Sequence, residues 1–302
     1  MASTPTRKTW VFLGLTLALS SIVYYLIIAS GTIHTYSLAL MWCPGVAAIA
    51  TQLIFQRNIR GLGWSPRPLK YVLAGYGIPV LYGLVVYGVV WATKLAPFAP
   101  DAMAKRLIAQ YNVQSHSTVG FLVVYVAICA TAGVVVSCAT ALGEEIGWRG
   151  LFVPELAERF SFTTTALVSG VVWALWHYPA ILFADYGNAG APVWFALACF
   201  TVSTIAFSFV LAWLRLKSGS VWPAVLAHAS WNLFIPYVFT AMTAATRLTP
   251  YLLGEFGVGL TLVSLLGALV FWRKRQELPV SAATGDVGDD PTVAIADTAS
   301  PA

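Results

Sequence analysis

Apolar residues in this chain come in long runs rather than in alternation. Eight stretches, about 10 to 30, 38 to 56, 71 to 93, 119 to 142, 163 to 184, 192 to 214, 220 to 241 and 251 to 272, are mainly apolar throughout. Each has about the 20 residues a helix needs to cross the hydrocarbon core of a bilayer. Barrel strands would alternate apolar and polar positions instead, and a helix satisfies its backbone hydrogen bonds internally, as a lipid environment demands. The pattern therefore predicts an all-α, polytopic transmembrane helix bundle with about eight spans. The first run is too long for the core of a signal peptide and reads as a retained anchor.

Two stretches break the pattern. "APFAPDAMAKRLIAQYNVQSHS", between the third and fourth runs, has room for a short amphipathic helix at the outer surface through Met103, Leu107, Ile108 and Tyr111. "QELPVSAATGDVGDDPTVAIADTASPA", residues 276 to 302, is rich in Ala, Asp, Pro and Thr without an aromatic residue, and is expected to be a disordered tail. Residues 1–275 form a single membrane domain in this reading, with no internal repeat.

Composition adds the environment and charge adds the orientation. Of the 302 residues, 59% are hydrophobic and only 10% are charged, against roughly 25% charged in soluble domains. Of the 17 Lys and Arg, 13 fall on one face of the expected topology: Arg7, Lys8, Arg57, Arg60, Arg67, Lys70, Arg149, Arg159, Arg215, Lys217, Arg273, Lys274 and Arg275. Lys94, Lys105, Arg106 and Arg247 fall on the other. Short cytoplasmic loops collect basic residues, so the expected protein is a multi-pass protein of the cell membrane with both termini cytoplasmic. The net charge of +5 follows from this topology and calls for no nucleic-acid partner. Cys43, Cys129, Cys138 and Cys199 lie in separate spans with no C-x-x-C pair, so they read as small core residues rather than a disulfide or thiolate framework.

Against this background "GEEIGWRG", residues 143–150, is unexpected, because it follows an uncharged run from Gly120 to Leu142. Ionisable groups at membrane depth are costly unless paired or wet, so they point to function. Glu145 and Arg149 are four apart with the acid first, the favoured orientation for a helical ion pair. Glu144 is turned about 100° away and has no basic residue three or four positions off. An acid pair at the end of a span would oppose the helix dipole, and a lone carboxylate beside apolar surface suits a general base.

Two of the four histidines, His34 and His116, fall in expected outer loops. The other two lie inside spans, His177 in "VVWALWHYPAILF" and His228 in "SVWPAVLAHASWNLFIPY". Trp173 precedes His177 by four residues and Asn232 follows His228 by four, so each pair shares a helix face. Pro179 and Pro236 free the carbonyls of Leu175 and Asn232, and such irregular backbone is tolerated at membrane depth where it is buried or faces a wet cavity. A carboxylate, two imidazoles and an amide make an inventory for splitting a carbonyl compound with water. No G-x-S-x-G elbow supports a serine nucleophile, although Ser137, Ser169 and Ser230 are near, and H-E-x-x-H is absent.

These residues resemble the CPBP intramembrane proteases, the group of CAAX prenyl proteases and bacteriocin-processing or bacteriocin-immunity proteins also called Abi-type. Glu144, Glu145 and Arg149 match E-E-x-x-x-R. Trp173 to His177 match F-x-x-x-H with Trp for Phe, and His228 to Asn232 match H-x-x-x-N. The resemblance implies an intramembrane endopeptidase acting on a peptide or lipidated-protein substrate at the bilayer. In it Glu144 and His177 activate water, His228 and Asn232 form the oxyanion site, and Glu145, Arg149 and Trp173 shape the site. A zinc-dependent version would use Glu144, His177 and His228 as ligands, while Asn232 and the nearby Arg149 suit a metal-free site better. The alternatives from another class are a non-catalytic immunity protein or scaffold, and a transporter using the same groups as a relay. No pair of spans shows the matched broken halves of an inverted repeat.

Overall fold

The computed structural model describes residues 7–113, 117–187 and 190–279. His116 and residues 280–302 of the expected tail lie outside the described residues. Among the described residues the regular structure is helical apart from an isolated bridge between Phe98 and Thr243. In order the helices are α1 (Arg7–Ser30), α2 (Ser37–Gln56), α3 (Leu69–Ala92), α4 (Pro100–Tyr111) and α5 (Thr118–Ala157). They continue with α6 (Phe162–Phe183), α7 (Val193–Ser218), α8 (Trp222–Phe234), α9 (Thr249–Leu252) and α10 (Val258–Arg273).

The fold is the expected polytopic all-α bundle, and α1, α2, α3, α5, α6 and α7 are each long and apolar enough to cross a membrane. The other two expected spans are helices too, but shorter: α8 has 13 residues before the π-turn Ile235–Thr240, and α10 has 16. Large apolar side chains such as Leu17, Ile22, Leu73, Val123, Val135 and Leu266 face outward, where lipid rather than water would cover them.

The expected short amphipathic helix is present as α4, with Met103 and Leu107 buried together with Ala104, Ile108 half-buried, and Tyr111 65% exposed. Two expectations are corrected. The fourth span does not stop at Leu142; α5 runs for 40 residues, through "GEEIGWRG", to Ala157. It is interrupted only by π-turns at Cys129–Gly133 and Ile146–Phe152. The three charges lie within the helix and meet side chains of other helices, with Glu145 Oε2 and Arg149 Nε left without a hydrogen-bond partner among the described residues, so the dipole argument for a helix end does not apply. Second, Lys274–Glu277 forms a turn of 3₁₀ helix and Leu278 is buried in the core, so residues 276–278 belong to the folded unit.

The bundle ends are built differently. At the end carrying Arg7 and Lys274, loops are laced to one another. Val221 N donates to the Gly63 carbonyl at 2.9 Å, Arg215 Nη2 to the Gly61 carbonyl at 3.3 Å and Trp213 Nε1 to the Lys274 carbonyl at 2.9 Å. Lys8 pairs with Glu155 at 2.6 Å. At the opposite end the connections between α1 and α2, α6 and α7, and α8 and α10 surround the mouth of a cavity of about 650 Å³.

Candidate active site

Two glycines aim the acid pair. Gly143 and Gly147 in "GEEIG" both press on α2: a Cβ on Gly143 would meet the Met41 carbonyl at 2.7 Å, and one on Gly147 would meet Pro44 Cβ at 2.5 Å. This G-x-x-x-G approach is a familiar way for membrane helices to pack without side chains between them. At about 100° per residue, the glycines toward α2 leave Glu144 and Glu145 pointing into the bundle interior. The π-turn that follows carries Arg149, in keeping with the frequency of such turns at functional sites.

Glu144 is buried and turns toward α6, where its Oε2 accepts the indole N–H of Trp173 at 2.7 Å. Glu145 is fully buried and turns toward α8. Its Oε1 accepts from Arg149 Nη1 at 3.1 Å and lies 2.8 Å from His228 Nδ1. Arg149, also fully buried, donates through Nη2 to Ser208 Oγ on α7 at 3.0 Å, and its guanidinium lies 4.2 Å from the centre of the Trp173 ring. Arg215 Nε donates to the Arg149 carbonyl at 2.8 Å, which fixes the backbone of the π-turn.

Trp173 joins the two halves of the site. Besides donating to Glu144, its carbonyl lies 2.8 Å from His177 Nδ1. A carbonyl can only accept, so Nδ1 carries the hydrogen and a neutral His177 presents the lone pair of Nε2. His228 is oriented the same way by a carboxylate. The Trp173 ring lies 5.8 Å from His177 and 5.4 Å from His228, so both imidazoles flank one indole. By residue count His177 stands 15 past the start of α6 and His228 only six past the start of α8. The helices are staggered enough to absorb that offset.

Glu144, Trp173, His177, His228 and Asn232 all line the cavity, whereas Glu145, Arg149 and Ser208 do not. Asn232 makes no side-chain hydrogen bond to the described residues, which leaves its amide free to donate. Of the serines considered, Ser137 donates to the Ala229 carbonyl at 3.0 Å, Ser169 is tied to the Ala166 carbonyl at 3.2 Å, and neither these nor Ser230 lines the cavity. No three His, Cys, Asp or Glu side chains among the described residues come together in an arrangement that could hold a metal ion. Glu144 is held through Oε2 by an indole N–H and each imidazole faces a protein oxygen through Nδ1, which leaves Glu144 Oε1 and the two Nε2 atoms as the open polar positions.

One cavity residue was not singled out from the sequence. Glu255, in the loop between α9 and α10, lines the wall together with Phe256, Tyr186 and Phe200. A single acid at the start of an apolar run carries no local signal, and only the fold brings it near the histidines.

Comparison with known proteins gives this geometry a context. Residues 119–234 match the family described as type II CAAX prenyl endopeptidase Rce1-like. Through this segment the chain is similar to the CPBP/CAAX protease family. Over 94 residues it is 31% identical to CAAX prenyl protease 2 of Methanococcus maripaludis, a match covering 30% of this chain and 34% of that protein. The chain thus spans about a third of the length of the curated relative it matches. Every motif residue from Glu144 to Asn232 falls inside the family segment.

Proposed function

We propose that the protein is an intramembrane endopeptidase that hydrolyses a peptide bond of a membrane-associated substrate with water activated by Glu144 and His177. The observation that carries this reading is Trp173, whose indole N–H holds one oxygen of Glu144 while its carbonyl holds His177, with both side chains lining one cavity. Glu144 Oε1 and His177 Nε2 are then the two acceptors available to a water molecule. Attack on the scissile carbonyl sends a water proton to Glu144. The oxyanion that forms accepts hydrogen bonds from the Asn232 amide and from His228 Nε2. For His228 to donate from both nitrogens it must be the imidazolium, and Glu145 beside Nδ1 is the counter-charge for that form. Collapse of the tetrahedral adduct breaks the C–N bond, and the proton on Glu144 passes to the leaving amine.

The reading needs no metal, so proteolysis of a peptide library by the detergent-purified protein should persist in a strong chelator. Loss of activity on chelation with recovery on adding zinc would overturn it, as would a purified protein that cleaves nothing in detergent or in liposomes. The split of basic residues supports cytoplasmic termini, and the cavity mouth then opens on the external face. Reporter fusions after Ser117 should read external and fusions after Phe160 or Lys217 internal; the reverse readings would put the mouth in the cytoplasm.

A further inference from the structure

The charged groups of the cavity are unbalanced. Its lining contains two carboxylates, Glu144 and Glu255, and no Lys or Arg among the described residues. His228, the imidazolium of the proposed hydrolysis, faces Glu145 through Nδ1, and the buried Arg149 stands against the Trp173 ring and is already held by Glu145 and Ser208. Glu144 has an assigned part in hydrolysis, but Glu255 has none, and it forms no ion pair among the described residues.

The chain on both sides of Glu255 is fixed. Gly254, in the left-handed region at φ 73°, donates its N–H to the Tyr87 hydroxyl at 3.1 Å. Phe256, 6% exposed, stacks on Phe200 with centroids 5.4 Å apart and meets the Tyr186 ring edge-on at 5.5 Å. Those same two rings reach His177, at 5.1 Å for Phe200 and 6.0 Å for Tyr186. Glu255 is therefore one layer of aromatic rings from the imidazole that would hold the water. The Glu255 carboxyl meets the polar ends of Tyr186 and Trp231, both neutral, so a carboxylate there still lacks a salt-bridge partner, and the faces of neighbouring rings attract cations. The two together describe a receptor for an ammonium or guanidinium group.

We propose that Glu255 is a specificity-determining residue that draws a lysine or arginine side chain of the peptide substrate into the corner formed by Tyr186, Phe200 and Phe256. This rests on the protease reading above, and it selects among peptides: the cavity favours a basic residue close to the scissile bond and disfavours an acidic one. Focusing of field lines by a low-dielectric wall strengthens the selection.

The test uses the full chain in detergent and a positional set of fluorogenic decapeptides, each carrying one Lys, one Gln or one Glu in an otherwise neutral sequence. At the preferred position, kcat/KM should fall in the order Lys, Gln, Glu, with Lys over Gln about tenfold, as a partly desolvated cation–π and ion-pair contact implies. In E255Q the Lys over Gln ratio should collapse toward one, mainly through KM, and in E255K the order of Lys and Glu should invert. An unchanged Lys over Gln ratio in E255Q overturns the proposal. To separate this from the hydrolysis itself, binding of the Lys and Gln peptides is also measured on E144Q, alone and combined with E255Q. If the native protein cleaves no peptide yet E144Q still binds the Lys peptide about tenfold better through Glu255, recognition stands and proteolysis falls. Equal binding of the two peptides overturns recognition even if cleavage is seen.

Discussion

The site has two layers that differ in what surrounds the charge. In the cavity layer Glu144, His177 and Asn232 each keep a polar atom directed at open space. In the layer behind, Glu145, Arg149 and Ser208 are sealed in protein and bonded to one another. Glu144 of one layer and Glu145 and Arg149 of the other come from the same six residues of α5, yet the first faces the cavity where the proposed chemistry would occur and the other two are enclosed by protein. His228 belongs to both, lining the cavity while facing Glu145 through Nδ1. A substitution in the first layer should therefore cost turnover, and one in the second should cost folding.

The sharpest contrast is between the neighbouring glutamates. Glu144→Gln keeps an oxygen for the Trp173 N–H but removes the proposed base, so turnover should drop by about 10²–10⁴-fold with thermal stability nearly unchanged. A Glu144→Gln protein that unfolds would place this carboxylate in the structural layer. Glu145→Gln leaves Arg149 and the imidazolium of His228 without their counter-charge, and removing one partner of a buried ion pair costs about 3–5 kcal/mol. Its melting transition should fall well below that of the native protein. Equal stability in the two variants would erase the distinction between the layers.

Asn232 and His228 test the residue that straddles the boundary. Each should lose on the order of 10²-fold in kcat as alanine if it donates to the oxyanion. Asn232→Ala strands no protein group, since its amide bonds nothing among the described residues, and should melt like the native protein. His228→Ala takes away one of the two groups facing Glu145 Oε1 and should be measurably less stable. Matching melting curves for the two alanine variants would show that the contact between His228 and Glu145 has no structural weight.

Local spacing made part of this legible. The apolar runs located the helices because a bilayer fixes their length, and the four-residue step from Glu145 to Arg149 located the ion pair because helix geometry fixes which residues meet. It did not locate the end of α5: three charges after an apolar run look like a solvated terminus unless the partners on α6, α7 and α8 are known. The link from His228 to Glu145 spans 83 residues, and no local period encodes it. "GEEIG" was readable as G-x-x-x-G, and would have placed Gly143 and Gly147 against a neighbouring helix and the glutamates inside. Glu255 was not readable at all, because its environment is made by Tyr186 and Phe200, which are distant in the chain.

The smallest expected effect separates Glu255 from the catalytic groups by pH. Burial is the main cause that pushes its carboxyl up from the ordinary 4.5 to about 6. The groups acting on it are Tyr186 from the connection between α6 and α7, Trp231 and His228 from α8, and Glu144 from α5. A raised carboxyl pKa means that the neutral form is favoured in the fold. Its contribution to stability is thus present below about pH 4.5 and lost as pH rises through about 6, while attraction to a cation appears as the group ionises over the same window. The Lys over Gln ratio in kcat/KM should hence be near one at about pH 5 and reach its plateau above about pH 7. A pH effect on the hydrolytic step itself changes both peptides' rates alike and cancels in the ratio, which makes the ratio a cleaner measure than either rate. E255Q should show a flat ratio across the range. A native ratio that is equally flat, with both rates varying, would mean that the acid in the wall of the cavity does not read the substrate's charge.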